Sequence, residues 1–282
     1  MSKIIVVAPE FCAYGGAHVL HRDDLGTASE DLPDAKVASL GEKRVINPEL
    51  LKPFGKLRAR AWARAARRGI RILDGYGQNP EWAKTVVQSI QEVCQEAQQH
   101  ADHIVNNWSA LVNDWANQNP KWSDMIRKSA PPREWVRDRF RFSVRAYPLG
   151  LDVLEDMGIE DNALLGEMGG LGDRLVAELV DAANALWKEF LTREKVTSRQ
   201  ISPLVTMQEK AETLGYLDRR AAQVGTDLGA LLKTLPPKGP YETHLPAILQ
   251  ELRKVVRLGF QNEAVAPATP EHTDDTPVWA CA

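Results

Sequence analysis

The stretch 79–120, "NPEWAKTVVQSIQEVCQEAQQHADHIVNNWSALVNDWANQNP", decides how the chain is read, because its apolar residues recur with one long period. Trp82, Val93, Ile104 and Trp115 are spaced eleven apart, and Val86, Ala97 and Trp108 form a second row at the same spacing. Eleven residues in three turns is about 3.67 per turn, the period of a straight or slightly right-handed helical pairing rather than of a leucine-zipper seam. The outer positions are mostly Gln, Glu, Asn and Asp, as in a long helix with one buried stripe. Asn79 is placed as an N-cap, Pro80 at the first helical position and Glu81 at the positive helix end, while Pro120 closes the run. The pattern predicts a helix near 80–118, roughly 60 Å long at the standard rise.

A helix of that length needs a partner, and "NALLGEMGGLGDRLVAELVDAANALWKEFLTREK", 162–195, offers one. Its Leu164, Met168, Leu171, Leu175, Leu179, Ala182, Leu186 and Phe190 step by three or four. Between the two, Phe140, Phe142, Val144 and Ala146 alternate with Arg141, Ser143 and Arg145, a period-two strand with one buried face. It can pair with the β-branched "KIIVVA" at 3–8. "HVLHRDDLG", after Gly15-Gly16, reads as a further extended or hairpin element, and later helices are read in 202–235 and 244–260 around the Pro/Gly loop "PPKGPYET". The fold expected is mainly α: a long antiparallel, coiled-coil-like hairpin of helices near 80–118 and 161–198, with a small β element near its base. The segments expected are an extended N-terminal part at 1–47, a helical domain at 48–260 and a disordered acidic tail at 261–282.

Composition bounds the function. The 282 residues carry 44% hydrophobic and 26% charged residues and a formal charge of -3, so most of the chain should fold, and any nucleic-acid affinity must come from a local patch. Cys12, Cys94 and Cys281 have neither CxxC spacing nor a zinc-finger partner and read as reduced thiols. The start is too short in apolar residues for a signal peptide, and no run approaches the ~18 apolar residues of a membrane span, so a cytoplasmic protein is expected.

The strongest local patch is "KLRARAWARAARRGIR", 56–71, with seven cations and no acid. On a helical wheel Lys56, Arg60, Arg64, Arg67 and Arg71 share one side, beside an apolar face of Ala59, Trp62, Ala63, Ala66 and Ile70. Arginine forks suit phosphate or carboxylate, so the stripe points to nucleic acid or an acidic protein; a solvated face paired with this chain's own acids is the bland alternative. A second basic stretch, Arg127 to Arg145, includes Arg137 and Arg141, with Trp135 and Phe140 as core residues or stacking platforms. In the tail, Asp274 and Asp275 precede Trp279 with no Lys or Arg after Arg257, which suits docking on a basic partner or folding back onto the Arg stripe.

Other constellations carry less. His100 and His103 with Asp102, and His18 and His21 with Asp23 and Asp24, supply too few ligands for a metal site. "GEMGGLGDR" lacks the GK[ST] of a phosphate loop, so Gly169 and Gly170 read as close-packing or kink positions. No GxSxG or Cys-His nucleophile context occurs, and no catalytic residue, metal or cofactor is assigned.

The runs "HRDDLG", "ASLGEKRVINPELLKPFGKLRARAWARAARRGIRILDGYG" and "NPKWSDMIRKSAPPREWVRDRFRFSVRAYPL" resemble a family of bacterial and phage proteins classed as domain of unknown function 3150, over most of residues 15–260. The resemblance implies accessory genes of phages and integrative elements, some near AAA+ ATPase and von Willebrand A-type genes, but no reaction and no functional residues. The reading is a non-enzymatic interaction or scaffold protein of a mobile element, engaging DNA or an acidic partner through the basic helix and forming a homo-oligomer through its long helices. The alternatives are a helical membrane-active protein in soluble form, an accessory factor of an AAA+ ATPase system, and a hydrolase or nuclease whose acids or metal ligands converge only in the fold.

Overall fold

A computed structural model describes residues 4–24, 40–149, 166, 168–192 and 196–262, with side chains described to residue 259. The tail with Asp274, Asp275 and Trp279 lies outside the described residues, as does the start of the expected second long helix at 161–165. The chain is mainly helical, with a small sheet, and forms two compact units. The first takes Met1–Ala8, Ala63–Val87 and Arg145–Ala282; the second takes Pro9–Trp62 and Gln88–Val144.

In the first unit, strands β4 (Ile70–Ile72), β5 (Gly75–Gln78), β1 (Ile4–Cys12, to Ala8 here) and β6 (Arg141–Leu149, from Arg145 here) lie in the order β4-β5-β1-β6. β1 and β4 both pair antiparallel with β5, Val6 opposite Gly77 and Ile70 opposite Gly77. The sequence reading that set "KIIVVA" beside the strand at 140–146 matches the β1-β6 neighbourhood. Among its described residues this unit also holds α6 (Leu171–Leu191), α7 (Ser198–Leu214), α8 (Arg219–Thr234) and α9 (Leu245–Asn262). Local signals set their starts. Thr197 and Gln200 form a capping box before α7, and the Asp218 carboxylate accepts from Arg220 N at 2.7 Å to open α8. One core takes Ile4, Val6, Ile70 and Ile72 from the strands with Leu175, Phe190, Leu204 and Ile248 from the helices.

The long hairpin is not what the apolar stripe of α6 serves. Leu171–Leu191 packs most extensively along α9, and α7 along α8. A stripe of Leu and Ala at helical spacing fits any apolar stripe of similar length, so spacing alone does not choose the partner. Around the start of α6, Gly172 rather than Gly169 makes the close approach: a Cβ there would lie 2.8 Å from the Leu217 carbonyl oxygen, whereas at Gly169 it would meet nothing within 4 Å.

The second unit holds β2 (Ala17–Val19) paired antiparallel with β3 (Glu42–Arg44), and most of α1 (Lys52–Arg68) and α2 (Pro80–Asn106). It also holds α3 (Trp108–Gln118), α4 (Ser123–Ser129) and α5 (Arg133–Asp138). The expected helix at 80–118 is thus two helices interrupted at Asn107, where φ is -104° and ψ 13°. Both the backbone N–H and the side-chain amide of Asn107 donate to the His103 carbonyl, at 3.1 and 2.8 Å, which is how a short polar side chain competes with the helix ladder. The eleven-residue rows hold in their middle: Val86, Val93, Ala97, Ile104 and Trp108 are buried, while Trp82 at one end is exposed.

Candidate nucleic-acid interface

Helix α1 is where sequence and structure diverge most. It ends at Arg68, since Gly69 stops it and the β-branched Ile70 and Ile72 enter β4 with both side chains buried. Arg71 therefore sits on a strand, exposed between them and 5.6 Å from the Tyr76 ring centroid, and does not extend the helical stripe. The buried face of α1 is also displaced from the expected one: Phe54, Leu57, Ala61 and Ala65 are buried, and Ala59 and Ala63 are exposed. Phe54 and Leu57 bring far more apolar area than single methyl groups, so they set the phase.

The cations of the stripe are not equivalent. In the second unit Arg60 is bonded to Glu96, and the exposed Lys56 and Arg58 make no ion pair among the described residues. Lys56 and Arg60 line a groove of about 650 Å³ with His100 and His103. In the first unit Arg67 Nε lies 2.9 Å from Glu209, which also takes Arg68 at 3.3 Å, and the Arg68 guanidinium covers the Trp82 ring at 3.9 Å. Arg64 is half-buried. The bland alternative, pairing with the chain's own acids, holds for Arg60 and Arg67.

The second basic stretch keeps more of its charge. Arg137 on α5 and Arg141 at the start of β6 are exposed and without an ion pair among the described residues. Between them, Phe140 is core: its ring lies 5.1 Å from Phe54, which also stacks on Phe142 at 5.5 Å and 9°. Those contacts bring the start of α1 against the start of β6, and strand alternation sends Arg141 to the other side from Phe140 and Phe142. Trp135 is 39% exposed, with the Arg139 guanidinium 4.4 Å from its ring centroid.

Trp135 belongs to a cluster that the sequence did not reveal. Tyr14 meets it edge-on at 5.8 Å and Trp108 at 5.7 Å, and the Tyr14 hydroxyl lies 2.6 Å from His18 Nε2. His18 stands opposite Lys43 across β2-β3, and Lys43 Nζ reaches Asp24 at 2.6 Å, an ion pair whose side chains are only 8% and 18% exposed. Burial raises the Asp24 carboxyl, but the Lys43 hydrogen bond, the His21 N–H at 2.7 Å and the Lys43 charge bring it below the usual carboxylate range. The only local sign was the i, i+4 spacing of Tyr14 and His18; Lys43, Trp108 and Trp135 are remote in the chain.

The histidines read as ligand candidates have other uses. His100 Nε2 is 2.8 Å from the Leu50 carbonyl oxygen, Asp102 accepts from Gln98 at 2.9 Å, and His103 Nδ1 is 3.4 Å from the Asn107 amide. Among the described residues no group of three or more His, Cys, Asp and Glu is placed to hold a metal.

A family model described as "Protein of unknown function (DUF3150)" matches residues 1–257. The chain belongs to that family. The match takes in both units, Arg137, Arg141 and the Trp135 cluster, and stops before the acidic tail. No curated protein and no solved structure matches the chain.

Proposed function

We propose that the protein is a non-enzymatic accessory factor that binds single-stranded nucleic acid through its second unit, in the phage or mobile-element setting that the family resemblance implies. One observation carries this reading: exposed cations without acid partners, Lys56, Arg58, Arg137 and Arg141, occur in the same unit as a partly open Trp135 with an arginine over its ring. Cations that follow a backbone, combined with an aromatic face on which a base stacks, are the recurring equipment of sequence-tolerant single-strand binders. The planar Arg139 guanidinium prepares the same surface for a base. A formal charge of -3 does not oppose this, since binding depends on the local patch.

The test is anisotropy of labelled single- and double-stranded DNA over a salt series. Wild type should bind the single strand more tightly. Arg137→Ala with Arg141→Ala should lower the slope of log K against log salt by roughly 1.4, about 0.7 per lost contact, while Arg67→Ala, whose charge is taken by Glu209, should leave it unchanged. Absence of binding at low salt retires the reading in favour of an acidic protein partner.

A further inference from the structure

Helices α8 and α9 of the first unit enclose a groove of about 320 Å³ with a floor of Val224, Leu228, Val255 and Leu258. That is at the small end of ligand pockets, a volume for one large side chain. Its charge is graded. Arg219, in the first turn of α8, is exposed without an ion pair among the described residues, and beside it Arg220 holds Asp218 at 2.7 Å and Asp173 at 2.5 Å. Further along, Lys254 is bonded to Glu251 at 2.6 Å with Asp227 close by, so two acids meet one cation there. An occupant with separate acidic and apolar parts is therefore oriented, with its acids toward Arg219 and the positive end of α8 and its apolar side chain over Leu228 and Val255.

We infer that this groove is the docking site of the chain's own segment 271–279. After Arg257 the sequence has no Lys or Arg, and Trp279 is the single aromatic after Phe260, with Asp274 and Asp275 just before it. Spacing agrees: Arg219 and Leu228 are about 13 Å apart along α8 at the helical rise, and the four steps from Asp275 to Trp279 span at most about 14 Å when extended. The reach is ample, since the seventeen steps from Asn262 to Trp279 cover up to about 60 Å, and the groove's last floor residue, Leu258, lies one turn before Asn262. The segment thus covers an apolar floor in its own chain, independently of the nucleic-acid surface.

Cys281, two residues past Trp279, makes this testable in the full chain. Asp227→Cys puts a thiol on the groove wall beside Leu228, the end at which Cys281 follows Trp279, and Arg253→Cys puts one at an exposed position of α9 that does not line it. With diamide as oxidant and peptide mapping as readout, the 227–281 disulfide should form within one chain at least tenfold faster than the 253–281 disulfide. Trp279→Ala, or Asp274→Asn with Asp275→Asn, should reduce that ratio at least threefold. Equal rates at the two positions, or a link formed only between two chains at micromolar concentration, overturn the proposal. Hydrogen exchange gives a second reading without any new cysteine: Trp279→Ala should speed exchange across 219–228, and unchanged exchange there also overturns it.

Discussion

His18 shows how neighbours fix the charge of one residue. Burial and then the Lys43 charge push its pKa below the ordinary 6.5, and burial lifts the Tyr14 phenol well above its usual range. Tyr14 therefore stays protonated, and with a neutral His18 its hydroxyl and Nε2 share a neutral hydrogen bond at 2.6 Å whose direction follows the tautomer. The sign of the linkage follows. Between the folded value and about 6.5 the unfolded chain binds more protons, so stability rises with pH; this contribution is whole above about 6.5 and is lost as pH falls through the folded value. The urea midpoint should accordingly drop more steeply from pH 7.5 to 5 in wild type than in His18→Gln, whose amide can still accept from Tyr14. Equal slopes would mean that His18 titrates alike in both states.

Between α1 and β4 the chain turns through Gly69 under the buried amide of Gln78, whose Nε2 donates to the Ala65 carbonyl at 2.7 Å and so satisfies an end carbonyl of the helix. A Cβ at Gly69 would collide with that amide and come within 2.6 Å of the same carbonyl oxygen and 2.8 Å of Tyr76 Cβ. Gly69→Ala should then cost about 1–3 kcal/mol, as overpacking does. Gly55→Ala, inside the same helix with nothing within 4 Å, should stabilise by about 0.5–1 kcal/mol. Urea denaturation of the two variants checks the opposite signs. The sequence reading carried α1 too far, because its wheel ran through Ile70 and Arg71, where the chain has already left the helix at Gly69 and entered β4. It did not tell which face of α1 is buried: a wheel of alanines looks apolar on several sides, and only packing singles out Phe54, Leu57, Ala61 and Ala65. For the same reason the basic strip was legible as a patch, but not the loss of Arg60 to Glu96 or of Arg67 to Glu209, which lie 36 and 142 positions away.

Across the whole molecule, helical stripes recognised singly do not say which helices pair, and it is the pairing that decides what surface is left. α6 finds α9, α7 finds α8, and Phe54, Leu57, Ala61 and Ala65 of α1 are buried, Ala61 and Ala65 completely. No described helix is long and apolar enough to cross a membrane. This bears on membrane activity, because adsorption of a basic helix to an anionic bilayer needs both charge and free apolar area. Helix α1 can offer charge from Lys56 and Arg58, but its apolar face is released only if the second unit opens. Vesicles rich in phosphatidylserine should therefore bind the protein weakly at low salt, release it on raising ionic strength to about 0.15 M, where screening acts within ~8 Å, and keep an entrapped dye throughout. Dye release that survives added salt would mean that the apolar face of α1 leaves its packing at the bilayer and that the helix works as a membrane element.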